Sequence, residues 1–513
     1  MKKRLAAFCI CLLVFSLVMT ACGGKQESPA PAPTPAPAPA APQTDIVIAL
    51  QGEPSTLDTQ YADDGNMRMV TWQVFEPLVK LDAATLKHVP VLAASFTNID
   101  DITWEFKIRP GVKFHDGSAF TAEDAAFSIN RIISPDFQSQ IMSDFDTIKE
   151  AVAVDAETVR VTTVQPDPLF LNRLPKLDMV SRAFTEAHSA EELTTLANGT
   201  GPYKLDGWNR SIDIKISAFD GYWGKAPAIQ TALFRWIEES NTRLNALKRN
   251  EVNFAVNMYP EYVAELPKVF TQPSTESYFF RFNLLDGVMK DKNLRLAMQY
   301  AVDRDAIAEE LFLGYAAPTT GQWDRAGAFG FTPELEAYPY DVEKAKELLA
   351  AAGYKGEKIQ LVSEKGRWLK DGEVTEAVAA MLTEAGFNIE TRFVSWNEWL
   401  DTLFDKTKSP DLIFCSNSNE FLDVDRNFWS SVHSSGSQST VASKEIDAMI
   451  EEARYEMDKT KRQALYDELN KYLYDNPVNL NIIIANELHG GSPNLNWDMR
   501  KDNRLYLSEM SFK

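Results

Sequence analysis

Between Pro29 and Pro42 the chain places seven prolines, alternating mostly with alanine, and no packed core can form there. Proline fixes φ and removes a backbone donor, so such a run favours extended polyproline II with its backbone left to water. At about 3.1 Å per residue, residues 29–42 would span roughly 40 Å. Folding is therefore confined to the residues beyond this run, and the body begins at Asp45.

The residues ahead of this linker (25–43) have a different pattern. Met1-Lys2-Lys3-Arg4 is a basic start, Leu5 to Val18 is apolar, and Met19-Thr20-Ala21-Cys22 sets small residues before a cysteine. Residues 1–21 are expected to be a secretory signal, too short and wrongly flanked for a stable span. The tetrapeptide resembles the lipobox of bacterial lipoproteins, with Met19 where leucine is usual, and this implies lipidation of Cys22. Residues 22–44 then form a tether. Cys9 and Cys11 leave with the signal, so Cys415 is the one thiol left. It cannot form an internal disulfide, and the body must be held by its cores.

The formal charge is −21, and removing Lys2, Lys3 and Arg4 takes it to −24. Phosphate binding needs a basic face, so nucleic acid is not an expected partner. His88, His115, His188, His433 and His489 form no H-x-H, H-x₃-H or HExxH pair, and no CxxC occurs. No metal or cofactor is expected from these spacings. A Gly-x-Ser-x-Gly elbow, a Walker loop and a strand-linked Gly-x-Gly-x-x-Gly are all missing, so an enzyme is not expected. Glu238-Glu239 and Glu451-Glu452 read as solvated helix faces.

Along the body, apolar runs alternate with capped helical segments. Ile46 to Leu50 suits a buried strand, and Trp104, Phe106 and Ile108 share one face of another. Pro110-Gly111 turns the chain, Val112 to Phe114 is expected to pair back, and His115 to Gly117 turns again, with His115 belonging to that turn. Thr121 with Asp124 opens a helix through Ile133. Asp341 caps a segment ended by Gly353, and others run over about 373–385 and 459–474. Strands are expected at 359–362, 389–394, 412–415 and 479–484. No repeat of fixed period occurs, and the class is mixed α/β.

Several ordered blocks resemble the bacterial solute-binding proteins of the peptide/nickel/opine importers, family 5. They are Pro54 to Asp58, Phe75-Glu76-Pro77-Leu78-Val79, Phe106 to Gly117 with Thr121-Ala122-Glu123-Asp124, Gly199 to Tyr203, and Tyr222-Trp223. Asn293 to Ala297, Ala301 to Arg304 and Ala345 to Gly353 continue the series. The resemblance implies a two-lobed hinged trap with an extra domain. Residues 45–80, 201–282 and 486–513 would build the first lobe, 81–200 the extra domain and 283–485 the second lobe.

The resemblance also implies a site. Arg367 falls where dipeptide-binding relatives hold the peptide carboxylate, a task a guanidinium performs bidentately. Phe414-Cys415-Ser416 aligns with a stretch that offers backbone groups to an extended ligand. Asn417 then stands where those relatives place an aspartate for the α-ammonium. An amide lacks that charge, and Asp423 or Asp425 would have to compensate. Trp368, Trp396 and Trp399, with Trp429, would form walls. The expected function is an extracytoplasmic, monomeric lipoprotein, in the periplasm or on the outer face of the cytoplasmic membrane. It would pass a short peptide to an ABC permease and its ATPase subunits. An oligosaccharide, an opine-like compound or a nickel complex is the alternative solute.

Overall fold

A computed structural model describes residues 43–513. The expected signal, Cys22 and the proline-rich tether lie outside the described residues. No helix among the described residues is long and apolar enough to cross a membrane.

The apolar run at the start of the body is the strand Asp45–Leu50, whose Ile48, Ala49 and Leu50 are fully buried. It pairs in parallel with Thr231–Trp236 on one side and Phe254–Ala255 on the other. A continuous apolar run suits such a place, because a parallel strand is covered on both faces. From there an 11-stranded sheet extends in both directions. One side continues to Asp213–Ala218 and Tyr203–Asn209. On the other side come Asn479–Gly491, Val269–Phe282, Leu412–Ser418, Lys358–Ser363 and Asn388–Phe393. Ala316–Pro318 adds to Asn479–Gly491 off this path.

Two strands in the middle are long. Val269–Phe282 has 14 residues and Asn479–Gly491 has 13. They run antiparallel, with a register break between Pro273 and Ser277. Proline cannot donate to the ladder, and a bulge there bends the strand and re-aims its side chains.

A separate four-stranded sheet, in the order Ala93–Asp100, Thr103–Ile108, Thr158–Thr163 and Ile148–Asp155, has its own core around Phe106, Phe114, Phe145 and Phe170. The helix Ala122–Ile132 packs on it and opens with the expected reciprocal box. Thr121 Oγ1 accepts from the Asp124 amide at 3.4 Å, and Asp124 Oδ2 accepts from the Thr121 amide at 3.0 Å. Asp341 caps Val342–Ala351, and Gly353 leaves that helix at φ +69°. The later segments are the helices Asp371–Glu384 and Lys459–Asp475.

Three local expectations are corrected. Val112 to Phe114 does not pair back onto the preceding strand, whose two neighbours are already Ala93–Asp100 and Thr158–Thr163. Instead the Phe120 amide donates to Val112 O at 3.0 Å, closing a tight loop. His115 does more than serve its turn: its Nε2 lies 3.0 Å from Gly201 O. Glu238-Glu239 precedes the helix Ser240–Lys248, with Glu239 as N-cap.

The sequence blocks around residues 76, 200 and 222 meet at one buried carboxyl. Glu76 accepts from Thr200 Oγ1 at 3.0 Å, Tyr222 OH at 2.9 Å and Trp223 Nε1 at 2.9 Å. The glycines make this approach possible. A Cβ on Gly199 would lie 1.9 Å from Val74 O, and one on Gly201 would lie 2.6 Å from Gln73 O. Arg109 covers the Trp223 ring at 4.3 Å. Burial raises the Glu76 carboxyl to about 7, against the pull of its three donors.

A carboxyl raised on folding favours the native state fully below its ordinary range, and that contribution fades as pH rises through about 7. Glu76→Gln has no such proton to lose. The stability advantage of the native chain over this variant is therefore expected to shrink between pH 5 and pH 8 in urea unfolding. An advantage that grows with pH would mean that Glu76 is held as the carboxylate.

Candidate functional site

A cavity of about 780 Å³ opens beside the two long strands. One wall is the sheet itself. Tyr278 faces Ser416 across the pairing of Val269–Phe282 with Leu412–Ser418, and Glu276 lies two residues earlier on the same face. Glu487, opposite Gln272 on the neighbouring strand, joins this wall. Burial lifts the Glu276 carboxyl above its ordinary value, and the Ser416 hydroxyl and then the Arg367 guanidinium oppose the shift. Desolvation and then the Glu276 charge bring Glu487 to about 7.

Arg367 stands on a loop organised by one carboxylate. Asp371 accepts from the backbone amides of Gly366, Arg367 and Trp368, each at 2.9 Å, and of Gly372 at 2.6 Å. Glu364 Oε1 takes the Arg367 amide as well, at 2.9 Å. Burial and then the neighbouring Asp371 raise Glu364 to about 7. Gly366 at φ +97° and Lys370 at φ 58° let the chain curl this tightly. The Arg367 side chain is exposed and forms no ion pair among the described residues. Its guanidinium lies 5.5 Å from the Trp396 ring and 5.8 Å from the Trp368 ring.

Of the residues singled out from the sequence, Arg367, Trp368, Ser416, Asn417 and Asp425 line the cavity, as does Trp429. Trp396 and Trp399 stack on each other at 4.9 Å and pack behind Trp368. The Trp399 Nε1 donates to Phe414 O at 3.0 Å, bracing the strand from behind. Phe414 and Cys415 are buried inside the core, and burial pushes the Cys415 thiol up to about 12. Asn417 donates to Ser431 Oγ at 3.2 Å.

Both acids considered as substitutes for a charge at Asn417 are already paired. Asp423 is buried outside the cavity wall, with its two oxygens held by Arg462 at 2.6 and 2.9 Å. Asp425 reaches the wall but is paired with Arg454 and accepts from Tyr466 OH at 3.3 Å.

The facing wall carries a charge network that the sequence did not reveal. Arg68 pairs with Asp63 at 2.8 Å, and Lys176 reaches Asp63 at 2.8 Å and Asp144 at 2.7 Å. Burial would raise the Asp63 carboxyl, yet Lys176 and Arg68 hold it well below the usual range. Contacts also close across the cavity: Asn172 Nδ2 donates to Phe421 O at 2.6 Å, Lys176 approaches Glu420 at 3.9 Å, and Lys370 pairs with Glu261. Glu276 and Glu487 were missed too, although each lies in a strand beside an apolar run, Tyr278 to Phe280 and Ile482 to Ala485.

Residues 87–439 match the bacterial extracellular solute-binding proteins, family 5 Middle. The glutathione-binding protein GsiB of Escherichia coli is 33% identical over 319 residues, which are 60% of this chain and 62% of that protein. The match thus spans less than two thirds of that relative's length. Among solved structures, the ABC transporter substrate-binding protein CtaP of Listeria monocytogenes superposes with a TM-score of 0.83 at 22% identity, covering 92% of this chain and 100% of that one. The periplasmic binding protein DppA of Helicobacter pylori, in complex with the peptide STSA, has a TM-score of 0.76 at 22% identity, covering 91% and 98%. The chain belongs to the family 5 extracellular solute-binding proteins, and its fold is their two-lobed one.

Because one carboxylate gathers the amides of the Arg367 loop, Asp371→Ala should cost about 1–3 kcal/mol of stability. Hydrogen exchange should accelerate at residues 366–368, measured by mass spectrometry. Unchanged protection there would show that the loop holds its shape by packing alone.

Proposed function

We propose that this protein is the extracytoplasmic binding component of an ABC importer and captures a short peptide by its free carboxylate. The observation that carries this reading is the Arg367 guanidinium, without an ion pair among the described residues and held on a braced loop at a large cavity. A fixed guanidinium offers two parallel N–H donors to a carboxylate, and fixing the loop beforehand lowers the ordering cost on binding. The peptide bound in the DppA structure supports the same solute class. The contacts across the cavity fit a closed state that solute stabilises, since a ligand drives closure only through its preference for that state. Residues 81–200 act as the extra domain, the chain works as a monomer, and lipid on Cys22 with the proline-rich tether keeps the body near the permease.

Calorimetric titration with di- and tripeptides tests the anchor. C-terminal amidation, or Arg367→Gln, should weaken binding at least tenfold, the scale of a charge-assisted hydrogen bond of about 1.5–3 kcal/mol. Oligosaccharide binding without peptide binding would sink the peptide reading. In cells, Cys22→Ala should abolish incorporation of labelled palmitate, and undiminished labelling would remove the lipid anchor from the account.

A further inference from the structure

The cavity wall holds more charge than its own pairs neutralise. Arg68 pairs with Asp63, Arg454 with Asp425, and Arg173 with Asp167 at 3.1 Å. The Arg367 guanidinium and the carboxyls of Asp146, Glu276 and Glu487 remain, and of these acids Asp146 lies in the field of Arg173 and Arg454. Among the described residues neither the Glu276 nor the Glu487 carboxylate lies within 4 Å of a lysine or arginine nitrogen. The neighbour of Glu487 is His489, whose Nε2 is 3.7 Å away. That imidazole is pushed down to about 4 by burial, so at neutral pH it brings no charge.

An orphaned donor on the facing wall points to a missing occupant. Arg68 is 6% exposed and its Nη2 has no hydrogen-bond partner among the described residues. Ser416 Oγ, on the sheet face shared with Glu276, is shielded from solvent and lies against the Glu276 carboxyl. A buried donor facing a cavity in the condition of Arg68 is completed by an acceptor group on a bound solute.

We infer that Glu276 and Glu487 are the receptor for a protonated amine on the solute, a task for which Asn417 lacks the charge. An ammonium has three donors and no acceptor, so one group can serve two carboxylates at once. Two partly desolvated acids lining one cavity, each within the other's field, resist ionising together, and a cation between them removes that resistance. Glu276 sits where the two long strands break register, and Glu487 is paired with Gln272 just beside that break. The solute class this implies is an amine-bearing one, with Arg367 receiving an anionic group where the solute has one. This rests on reading the cavity as a solute site, but does not require the solute to be a peptide.

The test compares the wild-type protein with Glu276→Gln, Glu487→Gln and the double variant by calorimetry. Probes are matched amine and N-acetyl pairs: tripeptides, lysine and glucosamine, with C-amidated tripeptides as a third arm. Melting without ligand serves as the folding control, and it should be unchanged or raised, because each variant removes one of two repelling acids. The expected result is a loss of at least thirtyfold on acetylation with the wild type. Each single variant should reduce that discrimination about tenfold, and the double variant should erase it. Equal binding of free and acetylated partners, undiminished discrimination in the double variant, or binding that requires calcium instead of an amine would each overturn the inference. Amine-dependent glucosamine binding without peptide binding would uphold it while removing the peptide reading. Sensitivity to C-amidation but not to acetylation would do the reverse.

Discussion

The pairing of Val269–Phe282 with Asn479–Gly491 joins the strands on the Asp45–Leu50 side of the sheet to those on the Leu412–Ser418 side. Backbone hydrogen bonds along two long neighbouring strands carry the sheet across that junction and form the floor of the cavity beside it. The register break at Pro273 to Ser277 is the longer of two interruptions, and it falls where Glu276 faces the cavity, just beside Glu487. A bulge is a cheap way to aim polar side chains out of a sheet without breaking it. The cavity floor and its acids are thus supplied by the same strands.

Carboxylates do much of the remaining construction, in two distinct ways. Glu76 and Asp371 act as buried acceptors that gather donors from separated or locally curled backbone, and neither lies in the cavity wall. Asp423 and Asp425 are neutralised by Arg462 and Arg454. Breaking such a pair on one side would leave a buried charge unpaired, which is why these acids are fixed parts of the scaffold. Glu276 and Glu487 differ from all of these because no lysine or arginine nitrogen among the described residues lies within 4 Å of them.

Much of the local structure was legible because its signals are short-range. Thr121 with Asp124, and Asp341 with Gly353, marked helix boundaries through caps that need only neighbouring residues. Arg367 was legible through its resemblance to relatives and does stand at the cavity. The pairing of Val112 to Phe114 was misread because the preceding strand had already taken partners on both edges, Ala93–Asp100 shortly before it and Thr158–Thr163 well after it. Trp396 and Trp399 looked like walls, yet stacking on each other places them behind the Arg367 loop. Nothing in the order of residues shows which face of an aromatic cluster will be covered.

By itself the sequence determined where folding can begin, that the elements alternate as a mixed α/β chain, which residues cap the helices, and the family. Each of these comes from composition, spacing or neighbouring residues. The tertiary structure decided which charges are spent on one another and which stay free. Asp423 and Glu276 are both acids in a chain of strongly negative charge. One meets Arg462, 39 positions away, and the other has no lysine or arginine nitrogen within 4 Å among the described residues. Electrostatic pairing depends on distance in space and on the water removed around each group, and only the folded chain sets those two quantities.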